Sequence, residues 1–180
     1  GKTVLLHEVP DLKAERALLV ATGKDETLDA RTLRKALSGA VSALLATQAK
    51  DAALVTSLLA ELGPGPAAVA AEAVSAAAHE AYRFSDYFGS PPEGSAVTVE
   101  RLQLHTETSA RSQVQRAVRT AAAVAAGAIY ARTLGNLPGN VCTPTYLAEE
   151  AKALARKHPS IRVRVVEEKQ MRSLGMGSFL

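Results

Sequence analysis

Arg119-Thr120-Ala121-Ala122-Ala123-Val124-Ala125-Ala126-Gly127-Ala128-Ile129-Tyr130-Ala131-Arg132 lies within a proline-free, alanine-rich segment from about Ser109 to Leu134. Alanine loses no side-chain rotamer freedom in a helix, so this composition predicts one long helix, with Gly135 ending it. Its apolar centre, Ala121 to Ala131, is fenced by Arg119 and Arg132. That run falls well short of the roughly 20 apolar residues a membrane-spanning helix needs. A helix of this length divides the chain into a part before it and a part after it.

Before the helix, Thr3-Val4-Leu5-Leu6-His7 and Arg16-Ala17-Leu18-Leu19-Val20-Ala21 are aliphatic runs between turn-forming residues, and each predicts a buried strand. Thr22-Gly23-Lys24-Asp25 follows as a loop, with Asp29 as a helix cap. From Ala30 to about Thr47, Leu33, Ala36, Leu37, Ala40, Val41, Leu44 and Leu45 recur at helical spacing. Ala52 to Leu59 reads as a third strand. Gly63-Pro64-Gly65-Pro66 then breaks the chain and opens a helix from about Pro66 to Phe84. Gly89 to Ser95 is a loop, and Val97, Val99, Leu102 and Leu104 outline an irregular fourth strand.

Behind the helix, Asn136-Leu137-Pro138-Gly139-Asn140 is a loop. Thr143 then caps a helix that has Pro144 at its first position and runs to about Lys157. Ile161-Arg162-Val163-Arg164-Val165-Val166 alternates as a strand, and a short helix near Lys169 to Leu174 closes at Gly175. Strands and helices alternate throughout, which predicts an α/β fold with a mixed sheet flanked by helices. No internal repeat is visible. The apolar ending Met176-Gly177-Ser178-Phe179-Leu180 leads to no further element, and the polypeptide is expected to continue past it.

The 180 residues are 47% apolar and 22% charged, the balance of a chain that can bury a sizeable core. Aromatics make up 4% and tryptophan is absent, so alanine and the aliphatics must do the packing. The lone Cys142 excludes an internal disulfide and a cysteine-rich metal site. No signal peptide pattern is visible. The net charge of +3 hides an asymmetry: residues 1–50 carry 8 basic and 6 acidic side chains, 51–100 carry 1 and 7, and 101–180 carry 12 and 5. The basic last third would attract an acidic partner or nucleic acid. Its charges are interleaved with apolar residues and lack an aromatic platform beyond Tyr130, Tyr146 and Phe179. Solvated faces, with at most weak, salt-dependent and sequence-blind nucleic-acid binding, are the expectation.

Candidate chemistry fails motif by motif. Gly1-Lys2-Thr3 looks like the end of a phosphate loop, but a strand follows where that loop needs a helix. His79-Glu80-Ala81-Tyr82-Arg83 has a cation where a helical zinc motif needs its second His. Cys142 stands just before a helix N-terminus, which would activate a thiol if a His approached, and it reads as a packed turn residue. His7, His105 and His158 fall at or near element ends and read as surface or capping residues. Glu149-Glu150 and Glu167-Glu168 are neighbours whose side chains diverge, so neither forms a carboxylate dyad.

Leu134-Gly135-Asn136-Leu137-Pro138-Gly139-Asn140-Val141-Cys142-Thr143-Pro144-Thr145-Tyr146-Leu147-Ala148 resembles the leucyl aminopeptidase family, the two-metal cytosol aminopeptidases. In that family a similar Asn-x-Pro-x-Asn segment with a Thr-Pro helix start opens the catalytic domain. The resemblance extends to Gln170-Met171-Arg172-Ser173-Leu174-Gly175-Met176-Gly177, to Thr3–His7, to Glu15–Val20 and to Gly23-Lys24. Over residues 48–108 it rests on the order of elements alone.

The resemblance implies a macro-domain-like amino-terminal module at 1–108, a linker helix at 109–136 and the start of an α/β catalytic domain at 137–180. It implies a cytoplasmic homohexamer that removes amino-terminal residues, often leucine, from peptides. Two divalent metal ions, zinc or manganese, would activate water and polarise the scissile carbonyl. The family's metal ligands lie in a Gly-Lys-Gly segment and an Asn-Thr-Asp-Ala-Glu-Gly-Arg segment, and neither occurs in these residues. No catalytic, cofactor-binding or metal residue is therefore expected here. The resemblance also implies that the chain begins after the family's first strands and stops before its metal site. Two other readings compete: a macro-like nucleic-acid or nucleotide binding module, and a purely structural domain serving hexamer geometry. Metal-ligand segments following Leu180 would decide for the peptidase.

Overall fold

Leu33, Ala36, Leu37 and Val41 stand three to four residues apart, so one stripe of a helix collects them and must be buried. The computed structural model, which describes residues 2–23, 27–87 and 99–180, shows how. The chain divides into two compact units, Gly1–Arg132 and Thr133–Leu180.

In the first unit, β1 (Thr3–His7) pairs antiparallel with β2 (Arg16–Val20), with Leu5 opposite Leu18. Helix α1 (Ala30–Ala46) follows, then β3 (Asp51–Val55), a short helix α2 (Thr56–Ala60), α3 (Gly65–Ala81) and β4 (Arg101–His105). β3 and β4 pair in parallel, Asp51 opposite Arg101 through Val55 opposite His105. The mixed pairing expected from the sequence is thus present, divided between two two-stranded ladders. The core lies between α1 and α3, where Leu28, Leu33, Leu37, Val41, Val69, Ala73 and Ala76 are buried together. Leu54 and Leu104 pack on it from β3 and β4. With Ala70, Ala73 and Ala76 on its buried stripe, α3 presents little side-chain bulk, which suits close helix approach.

The aliphatic run from Ala52 to Leu59 is not one strand. It leaves the extended state after Val55 and turns into α2 at Thr56. Thr56 is fully buried, and its hydroxyl donates to the carbonyl of His105 at 2.7 Å, fastening the end of β3 to the end of β4. Thr56→Val keeps the shape but strands that carbonyl, and should cost about 1–3 kcal/mol. Urea unfolding of the variant beside the parent chain measures this.

A 3-10 turn at Thr108–Ala110 leads into α4 (Arg111–Asn136), in which Val114 and Ala121 are buried. Gly135, expected to end this helix, lies inside it. The stop is set by Pro138, which has no N–H and disfavours helical geometry at Leu137.

In the second unit, α5 (Pro144–Lys157) starts at Thr143, whose hydroxyl accepts from the Tyr146 N–H at 3.2 Å. A short α6 (Glu168–Ser173) ends ahead of Gly175, which has φ +70°. Ile161–Val166 forms no strand, because a ladder needs a second strand and none pairs with it among the described residues. The expected loop at Gly89–Ser95, the strand residue Val97, and Gly1, Lys24 and Asp25 lie outside the described residues.

Candidate functional site

Each weighed motif has a plain structural place. Thr3 begins β1, so the segment after Gly1-Lys2-Thr3 is a strand and offers no helix N-terminus to a phosphate. His79 and Glu80 fall in the last turn of α3, with His79 Nδ1 3.4 Å from Glu80 Oε1. Arg83 lies past the helix end and donates to the carbonyls of Glu80 and Tyr82 at 2.7 and 2.9 Å. The fifth position of the zinc pattern is therefore not on the helix at all.

His7 and His105 are the last residues of β1 and β4, and His158 is the C-cap of α5; all three are exposed. Cys142 is a half-buried free thiol in the turn before Thr143, its N–H donating to the Pro138 carbonyl at 2.9 Å. Glu149 pairs with Lys152 at 2.8 Å, and that hydrogen bond and charge hold its carboxyl below the usual carboxylate range. Glu168 pairs with Arg172 one turn on, and Glu167 is the N-cap of α6. Neither acidic pair converges on a shared centre. Among the described residues, no three His, Cys, Asp or Glu side chains come together in a way that could hold a metal ion.

The described residues of the first unit also form concavities, among them two beside β4. An open cleft of about 660 Å³ lies between α3, β4 and α4, walled by Val74, Leu102, Leu104, Val114 and Val118, with Arg119 at its rim. A smaller one of about 200 Å³ sits past the carboxyl ends of β3 and β4, lined by Ser57, Glu61, Thr106 and Glu107. Ligands of open α/β sheets favour that end of the strands. Its two carboxylates and two hydroxyls share the lining with Ala60, Pro66 and Ala110, and Glu107 already accepts from the Ser109 hydroxyl at 3.3 Å.

One residue with a positioning role escaped the sequence reading. Arg132 near the end of α4 stacks over the Tyr82 ring at 4.1 Å and donates to the His79 carbonyl at 3.3 Å. It thereby ties α4 to the last turn of α3, through both cation–π attraction and a helix-terminal carbonyl. An arginine ending an alanine run gives no sign of a partner some 50 residues away.

At the start of α1, Asp29 accepts from the Thr32 N–H at 2.7 Å, and the hydrogen bonds from Thr32 hold its carboxyl below the ordinary range. The folded state therefore favours the charged form. The resulting stability is complete above the unfolded pKa and is lost as pH falls through the lowered folded value. An Asp29→Asn chain keeps a competent cap but lacks this dependence. Acid titrations of the two followed by circular dichroism should diverge only in that acidic window.

Comparison with known proteins identifies the family. Residues 1–88 match the model described as the N-terminal domain of the cytosol aminopeptidase family, and residues 129–180 match the model of that family's catalytic domain. A probable cytosol aminopeptidase of Pseudomonas aeruginosa (strain UCBPP-PA14) is 42% identical over 180 residues, covering all of this chain and 36% of the relative. A cytosol aminopeptidase of the P. aeruginosa strain PAO1 is 41% identical with the same coverage. The chain thus spans little more than a third of the length of the curated relatives it matches. Among solved structures, the bottromycin maturation enzyme BotP superposes with a TM-score of 0.74 at 25% identity, over 97% of this chain and 35% of that one. A tomato leucine aminopeptidase mutant gives 0.73 at 24% identity, over 97% and 33%, a likeness of fold. These matches favour the peptidase reading over a nucleic-acid or nucleotide binding module. Two models of one family, matched in order along the chain, and relatives about 40% identical over its whole length place it: this chain belongs to the cytosol aminopeptidase family.

Proposed function

We propose that these residues are the amino-terminal portion of a metal-dependent leucyl aminopeptidase that removes amino-terminal residues from peptides. The observation that carries this reading is the ordered match to both domains of one peptidase family. Within it, residues 1–108 are the amino-terminal module, 109–136 the joining helix, and 137–180 the first part of the catalytic domain. The protein works in the cytoplasm as a homo-oligomer, a hexamer as in the family it resembles. No helix among the described residues is long and apolar enough to cross a membrane.

The metal requirement is met elsewhere in the polypeptide. One structure of BotP is described as a complex with Mn, and that chain resembles this one with a TM-score of 0.68. The described residues do not fit such an ion, since their His, Cys, Asp and Glu side chains do not cluster in threes. The ligands belong to the Gly-Lys-Gly and Asn-Thr-Asp-Ala-Glu-Gly-Arg segments that the resemblance implies further along. What these 180 residues contribute is a scaffold, with α4 carried from the first unit into the second.

The test is a pair of assays. The purified 180-residue chain, with zinc or manganese, should hydrolyse a leucine amide no faster than the metal alone. The longer protein that contains it should hydrolyse the same substrate. Activity in the short chain would overturn the division of labour, and inactivity in the long one would overturn the enzyme assignment.

A further inference from the structure

The last carbonyls of any helix have no partner within it, and many helices satisfy theirs by turning the chain through a left-handed glycine. α3 does not. Tyr82 at its C-cap is extended, with φ −63° and ψ 127°. Two arginines serve the carbonyls instead. Arg83 donates to those of Glu80 and Tyr82 at 2.7 and 2.9 Å, and Arg132 donates to that of His79 at 3.3 Å from 53 residues away. Both guanidinium groups stand at the negative end of the α3 dipole, where a cation is favoured. Tyr82 is shared between them: its carbonyl accepts from Arg83, and the Arg132 guanidinium lies 4.1 Å from the centre of its ring.

The two arginines differ in what they depend on. Arg83 is local and serves α3 whatever α4 does. Arg132 belongs to the last turns of α4, and reaches the His79 carbonyl and the Tyr82 ring only while α4 lies beside the end of α3. We infer that the Arg132 clasp is a conformational latch: the last turn of α3 closes fully only when α4 is docked, so the state of one helix is passed to the other. The fully buried residues of α3 end at Ala76, which lets its last turn open while the core between α1 and α3 stays intact. The coupling is reciprocal, since whatever docking gives the end of α3 it gives equally to the end of α4. Arginine suits the task because its planar face stacks on a ring while N–H groups at its edge donate; the compact ammonium of lysine cannot do both.

Amide hydrogen exchange resolved to single residues, on the longer protein, tests the latch. Arg132→Ala should speed exchange at Ala78–Ala81 by about tenfold and leave Ala70–Ala73, in the middle of the same helix, unchanged. Tyr82→Leu should in turn speed exchange at Ile129–Arg132 in α4, although Tyr82 belongs to α3. The double variant should exchange at either helix end no faster than the faster single variant, because both changes remove one contact. Arg132→Lys should restore the protection of Ala78–Ala81 only in part. Unchanged exchange at Ala78–Ala81 in Arg132→Ala would overturn the latch, as would effects that multiply in the double variant. Full rescue by lysine would also overturn it, since a point charge near the helix end would then suffice. None of these readouts uses peptidase activity, so an inactive longer protein would leave the latch standing.

Discussion

Leu37→Ala should lower the stability of the first unit by about 2–5 kcal/mol, the range for removing a buried leucine side chain whose cavity cannot close. Leu37 is 3% exposed and belongs to the cluster of Leu33, Val41, Val69, Ala73 and Ala76. Two of those neighbours are alanines, whose single methyl groups cannot swing into the space a leucine leaves. The burden of packing falls on few large side chains in a chain this poor in aromatics, so each is hard to spare. Leu58→Ala is the control: Leu58 is 66% exposed, and its loss should change stability by no more than roughly 0.5 kcal/mol. Urea unfolding of both variants beside the parent chain decides the matter. Equal effects would mean that the core does not run between α1 and α3.

Where local rules agreed with long-range packing, the sequence was readable. Asp29 and Thr143 were legible as caps because an oxygen-bearing side chain before a periodic apolar run satisfies N–H groups that any helix start leaves free. β1 and β2 were legible as strands because each is an aliphatic run closed off by turn residues, but not in their burial: Val4, Leu5, Leu6 and Leu19 are exposed, since an aliphatic run does not say what will cover it. The end of β3 was not, because Val55 and Thr56 continue the same aliphatic pattern. What converts the chain to helix there includes a hydrogen bond to His105, 49 residues away. The strand at Ile161–Val166 was read from a pattern that fits, but a pattern cannot supply a partner. The same division holds for the site. The motif residues could be judged one by one, since a helical zinc pair or a phosphate loop depends on local spacing. The clasp of Arg132 on Tyr82 and His79 depends on how α3 and α4 meet, and leaves no mark in either segment alone.

Ala123→Pro in α4 should be the most damaging single change outside the core. Ala123 is exposed, so the effect acts through the backbone and not through side-chain packing. Proline there removes the hydrogen bond to the carbonyl one turn back, that of Arg119, and its ring collides with the same carbonyl, at about 3 kcal/mol or more. Leucine substitutions in the same stretch separate the two causes. Ala126 is exposed and should accept leucine almost freely, whereas Ala125 is half-buried and should lose roughly 1–3 kcal/mol to overpacking. Because α4 runs from Arg111 to Asn136, a break at Ala123 disconnects Arg132 and its clasp from the first turn of the helix, where Val114 is buried. On the proposed reading, in which the longer protein is an oligomeric metalloenzyme with its metal ligands outside these residues, the proline variant should lose its oligomeric assembly before it loses metal. Size-exclusion chromatography and metal content measured on one sample test this together. A smaller species that retains its metal is the expected result. A full-sized oligomer stripped of metal would show that α4 supports the metal site directly, and that the boundary between the two domains has been drawn in the wrong place.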